Sequence, residues 1–183
     1  FGIESSFVEE NPDKVRLYTS DDEIDFSTEI KLFANDKAGK AGRSTWYVAD
    51  RSVIPVSEEY IDEWQVVVSS ANAGGQKRDN QIEVIDNHSA FGRSRVALGS
   101  FKTQVEAENF YNYSRTALIR FMYLMTDESL TSLGKKVPDI MDYSSANQML
   151  DFSKDLNEQL YKLVGLNDDE ISYVESVIRF KDE

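Results

Sequence analysis

The sequence predicts an α+β fold: a mixed, mainly antiparallel sheet in the first two-thirds, a long helix from about 103 to 124, and short C-terminal helices. Three observations carry this. Before about residue 100, apolar and polar side chains alternate in short runs, the period of half-buried strands. From Thr103 the apolar spacing changes to three and four residues, the period of a helix. Strands come first and helices last without strand–helix–strand alternation, which argues against a parallel α/β fold.

The elements follow in order. Lys14 to Thr19 (KVRLYT) and Glu29 to Ala34 (EIKLFA) alternate as strands, with TSDDEIDF as the turn between them. NDKAGKAGR, 35–43, is a loop or open hairpin tip. Ser44 to Ala49 is β-branched and aromatic, hence a strand. Alternation puts Arg43, Thr45 and Tyr47 on one face, with Ser44, Trp46 and Val48 on the other, and Trp46 in the core. Ser57 before EEYI predicts a short capped helix. Trp64 to Ser69 is the next strand, and the polar run SSANAGGQKRDNQ (69–81) is a loop. Gln81 to Ile85 and Arg95 to Leu98 are strands flanking the polar turn DNHSAFGRS.

Thr103 with Glu106 forms a capping box opening the long helix, whose apolar face includes Phe110, Tyr113, Leu118 and Phe121. LGKKVPDIMDYSSAN is a connector. Asp155 to Val164 is a short helix ended by Gly165, and Asn167 caps another whose first turn holds Asp168, Asp169 and Glu170.

A length of 183 residues fits a domain over 1–138 with an acidic helical extension over 139–183 packed on it, or a single domain. No apolar run is long enough for a membrane span. A start on Phe1, with neither Met nor a basic stretch, reads as a piece excised from a longer chain and not as a signal peptide. The absence of cysteine excludes disulfides and agrees with a cytoplasmic setting.

The net charge is −13, but it is unevenly spread. Residues 1–30 carry nine acids and two bases, and 139–183 carry eleven acids and four bases, so each end is −7. The midsection, 31–138, has thirteen acids and fourteen bases, or +1. Local field, not net charge, decides where a polyanion lands.

Several chemistries are unsupported. One histidine and no cysteine leave neither a zinc site nor a Cys-His pair, and His88 reads as an ordinary surface histidine. No nucleophile elbow or Walker lysine occurs. Glu29-Ile30-Lys31 matches the Glu-x-Lys half of a metal-dependent nuclease core, a pattern frequent by chance in acidic chains. No catalytic residue and no metal ligand is assigned.

Several segments in order carry a family resemblance: FGIESSF (1–7), IKLFAN (30–35), EEYIDEWQVVVSSANAGG (58–75), VALGSFKTQVEAENFYNYSRTALIRFMYL (96–124) and DFSKDLNEQLYKLVGLNDDEISYVESVI (151–178). Together they resemble the C-terminal target-recognition region of adenine-specific DNA methyltransferases from restriction–modification systems. These include single-chain, type IIG-like enzymes in which a methylase module carries a specificity domain, sometimes fused to a nuclease. The most specific stretches are EAENFYNYSRT and LNEQLYKLVGLNDDEISYVE. In that family an upstream module binds S-adenosylmethionine through a glycine-rich loop and uses an Asn-Pro-Pro-Tyr-type motif. Neither occurs here, where the prolines are Pro12, Pro55 and Pro138. The resemblance therefore implies recognition without catalysis: double-stranded DNA and the parent's own methylase module as partners, and no cofactor within this chain. The stretch NDKAGKAGRSTWYVADRS is where sequence-specific variation is expected, so no base contact carries over to it, and the connector GKKVPDIMDYSSANQML departs from the usual form.

Base reading needs paired donors and acceptors on elements thin enough for a groove, such as Arg on guanine and Asn or Gln on adenine. Residues 69–81 supply Asn72, Gln76, Lys77, Arg78, Asn80 and Gln81, with Gly74 and Gly75 for close approach to phosphate. A second cluster is Lys37, Lys40, Arg43, Tyr47 and Arg51. A third places Arg93 and Arg95 beside Asn87 and His88 for phosphate positioning. Arg115 and Arg120 read as structural or backbone-facing, while Lys135 and Lys136 can reach phosphate from the connector. Two alternatives stay open: a protein-interaction or DNA-mimic module using the acidic helices, and a nuclease centred on Glu29 and Lys31.

Overall fold

The structure, a computed structural model, describes residues 1–35, 44–70, 82–126 and 137–178. It has the α+β architecture expected, built as two sheets and a set of helices. A one-turn helix α1 (Phe7–Glu10) precedes β1 (Val15–Leu17), β2 (Glu29–Asn35) and β3 (Ser44–Asp50). Then come β4 (Trp64–Ser69), β5 (Glu83–Ile85), β6 (Ser89–Phe91) and β7 (Arg95–Phe101). The helices α2 (Gln104–Ser114), α3 (Ala117–Thr126), α4 (Leu156–Val164) and α5 (Asp168–Val177) follow.

The first sheet has the order β1-β3-β2-β6, antiparallel except for β2 with β6; the second, β5-β4-β7, is antiparallel. In β2 the alternation is realised: Ile30, Leu32 and Ala34 are buried, and their neighbours are half-exposed. These three join Tyr47, Ala49, Ile61 and Ala90 in a smaller apolar cluster. The larger one gathers Val66 and Val68 of β4, Phe110 and Tyr113 of α2, and Leu118 and Ile119 of α3. Leu160 of α4 and Val174 of α5 belong to it too, so residues 139–178 contribute to the same core as β4. Burying each of the Val, Leu, Ile and Phe side chains among them stabilises the fold by roughly 1.5–3 kcal/mol.

Five local expectations are revised. The helical region from 103 to 124 is interrupted: α2 ends at Ser114, and α3 begins at Ala117, whose N–H donates to Asn157 Oδ1 at 2.9 Å instead of to the preceding turn. The supposed polar turn DNHSAFGRS contains a strand, β6, paired in parallel with β2. Ser57 is not a cap: it sits at φ 60° with no side-chain capping bond, before a 3-10 turn over Glu58–Asp62. Thr103 does accept from the Glu106 N–H, but the Glu106 carboxylate turns to the Thr103 hydroxyl at 2.8 Å, so only half of the capping box forms. The complete box is at Asn167 and Glu170. Last, Tyr47 is buried and Trp46 is only half-buried. Tyr47, Val48 and Ala49 are all inaccessible, so both faces of β3 are covered there and alternation does not apply.

Candidate nucleic-acid interface

The hairpin strands β2 and β3 pair as far as Asn35 and Ser44, where the basic segment 36–43 is attached. Ser44 Oγ donates to Asn35 Oδ1 there, closing the root. In the second sheet β4 pairs with β7 as far as Ser69 and Arg95, and the Ser70 N–H donates to the Ser94 carbonyl at 2.9 Å. This is the root of segment 71–81 on its β4 side; Glu83 opens β5 on the other.

The two roots adjoin. β6 lies beside β2, with Phe91 opposite Phe33, and the Gly92 N–H donates to the Phe33 carbonyl at 2.7 Å. Two residues on, Ser94 and Arg95 bond to the root of the other hairpin. Arg95 then reaches back: its guanidinium carbon stands 4.7 Å from the Phe33 ring centroid, and Nη2 lies 2.9 Å from Glu83 Oε1. The described residues that flank segments 36–43 and 71–81 therefore lie near one another, with Arg93 and Arg95 on the connection from β6 to β7 that joins them.

The two arginines differ in use. The Arg95 side chain is 13 % exposed, stacked and ion-paired, so it positions the roots. Arg93 is 69 % exposed and bonded through Nη1 to Glu4 Oε2 at 2.8 Å. An exposed pair of this kind contributes about 1 kcal/mol at most, so Arg93 can exchange Glu4 for another anion at little cost. Beside Arg95, a cleft of about 530 Å³ between the sheets is lined by Tyr60, Gln65, Phe91 and Leu98, among others.

Other sequence-chosen residues lie elsewhere. Tyr47 belongs to the smaller core and has no accessible ring to offer DNA. Arg51 follows the far end of β3, clamped by Asp62 at 2.7 Å through both terminal nitrogens and by Glu58 at 2.6 Å. Those bonds raise its pKa further and hold the Asp62 carboxyl below its ordinary range. Asn87 lies before β6, at the Lys31 end of β2 and opposite Arg93, so the third cluster is split in two. His88 is half-buried and stacked on Phe26 at 4.2 Å rather than an open surface group. Lys37, Lys40, Arg43, Asn72, Gly74, Gly75, Gln76, Lys77, Arg78, Asn80, Gln81, Lys135 and Lys136 fall outside the described residues. Arg120 is fully buried, and Arg115 stacks on Tyr111.

The Glu29 and Lys31 side chains take separate partners. Glu29 accepts from Arg16, which holds its carboxyl low, and Lys31 pairs with Asp86. Among the described residues no group of three His, Asp or Glu is arranged to hold a metal ion, and no helix is long and apolar enough to cross a membrane. The sequence singled out the bases here, but not their acidic partners: Glu4 is 89 residues from Arg93, and only the fold brings them together.

No protein-family model matches the chain, nor does any curated protein or solved structure.

Proposed function

We propose that this chain is a DNA target-recognition domain of an adenine-specific DNA methyltransferase, reading duplex sequence for an S-adenosylmethionine-dependent module upstream. The observation that carries this reading is the adjacency of the two hairpin roots. Two segments rich in Lys, Arg, Asn and Gln are attached at one place, with the exposed Arg93 beside them. A groove reader needs amide and guanidinium groups delivered together within the span of one duplex. The neutral-to-basic midsection supplies them, while the acidic excess is carried by residues 1–30 and 139–183. Base contacts belong to the segments, and Arg93 is a phosphate contact.

Fluorescence anisotropy of the chain with a labelled duplex, across a salt series, tests this. Binding should fall steeply with salt, and Arg93→Glu should weaken it while lowering the magnitude of the log–log slope by about one. A chain that ignores duplex DNA at low salt but captures a basic protein would instead be an interaction module.

A further inference from the structure

Away from the hairpin roots, one recess collects cations and amide donors. It lies where α2 gives way to α3, is lined by Asn112, Arg115, Thr116, Lys154 and Asn157 together with the apolar Phe152 and Leu156, and has a volume of about 310 Å³. No carboxylate lines it, in a chain with 33 acids against 20 bases.

Asn157 fixes the chemistry. Because its Oδ1 accepts from the Ala117 N–H, the orientation of the amide is set, and its Nδ2 donors point away from that bond. The same bond occupies the leading N–H of α3, and the Asp155 carboxylate occupies the Asn157 and Glu158 N–H groups that open α4. Arg115 is held at the rim by Tyr111, with Nη1 2.9 Å from the phenol oxygen and the guanidinium 5.2 Å from the ring centroid. Lys154 also lines the recess, its ammonium 3.5 Å from Asp151 Oδ2 in a pair exposed at both ends. Asp151 spends Oδ1 on the Ser153 N–H and hydroxyl, so its hold on Lys154 is long and open to water. Such a pair is readily exchanged for a better anion.

We propose that this recess binds a phosphate group, with the Lys154 ammonium and the Asn112 and Asn157 amides as donors in the field of Arg115. Charge-assisted bonds of this kind suit a tetrahedral oxyanion, and the volume leaves room for an attached ester carbon. A backbone phosphodiester and a free phosphate compound share this chemistry. The inference stands apart from the DNA reading, because inorganic phosphate alone probes it.

The test titrates inorganic phosphate into the whole chain at constant ionic strength, with chloride as the balancing anion, while NMR follows the Asn112 and Asn157 side-chain amides. Both amides should shift saturably. Asn157→Asp keeps the acceptor for Ala117 but replaces the donors with negative charge, so it should abolish binding at unchanged melting temperature. Lys154→Gln should weaken it about fivefold. Amides that do not respond to phosphate, or an N157D chain that binds it like the parent, would overturn the proposal. A short duplex identifies the source. If the recess takes a backbone phosphate, N157D lowers the salt slope of duplex binding by about one. If it takes a free compound, duplex binding is untouched while phosphate binding is lost. Arg93→Glu should leave phosphate binding intact, so failure of the DNA reading remains distinguishable.

Discussion

Phe33 and Arg95 join the two sheets: the ring belongs to β2, the guanidinium to β7, and they stand 4.7 Å apart. Glu83 on β5 fixes the other side of the guanidinium at 2.9 Å. Arg95→Gln removes both interactions and should cost about 1–2 kcal/mol in urea unfolding. Arg95→Lys, which keeps the charge but loses the planar fork, should recover only part of this. A full recovery by Lys would mean that charge alone holds the joint.

Asp86 should shape the acid limb of the stability curve. Burial pushes its carboxyl up, but bonds from Lys31, the Ser89 hydroxyl and the His88 N–H outweigh this and leave it below its ordinary range. A depressed carboxyl stabilises the fold above its unfolded pKa of about 3.9, and that stability is lost as pH falls through the folded value. Asp86→Asn should therefore destabilise the protein by about 1–3 kcal/mol near neutrality, since Lys31 loses its partner. It should also make unfolding below about pH 4 less steep. Denaturant curves at neutral and acid pH check both; an acid limb identical to that of the parent would remove Asp86 from the account.

Tyr143 is the hub of an aromatic group in the larger core, meeting Phe101, Phe110 and Tyr113 at centroid distances of 5.7, 4.9 and 5.5 Å. Its hydroxyl donates to Asp139 Oδ1 at 2.8 Å, and its carbonyl accepts from Asn109 Nδ2. Tyr143→Ala should cost about 3–5 kcal/mol, as deletion of a buried ring does elsewhere. Tyr143→Phe should cost about 1 kcal/mol. Equal losses in the two variants would show that the hydroxyl, not the ring, is what matters.

Gly165 ends α4 in the left-handed region at φ 73°, with open space where a side chain would stand. Gly165→Ala should thus lose about 1 kcal/mol through backbone strain alone, and Gly165→Asn less. Thermal unfolding of the two variants distinguishes strain from a steric clash, which would penalise Asn more.

Much of the fold was legible because strand and helix periods are strong signals. β4 has the predicted limits, α4 ends at the predicted Gly165, and α5 carries its predicted cap at Asn167. β6 escaped because three residues cannot display a period, and its partner β2 lies far back in the chain. The break between α2 and α3 escaped because the apolar spacing runs straight through it; only Asn157, forty residues on, diverts the Ala117 N–H. Tyr47 was misjudged by treating β3 as covered on one face. In the candidate interface the sequence displayed the bases but not their pairings, and so could not separate the clamped Arg51 and Arg95 from the exposed Arg93.

The short β6 has a consequence for how the molecule comes apart. The chain leaves the first sheet after β3, pairs β4 with β5 in the second, returns for β6, and departs again for β7. Neither sheet can detach without tearing a strand from the other, so the two cores are laced together and should melt in one cooperative step. A cut within residues 86–88 would leave β1 to β5 on one piece and β6 and β7 on the other, so each sheet would lack an edge strand that only the C-terminal piece can lend.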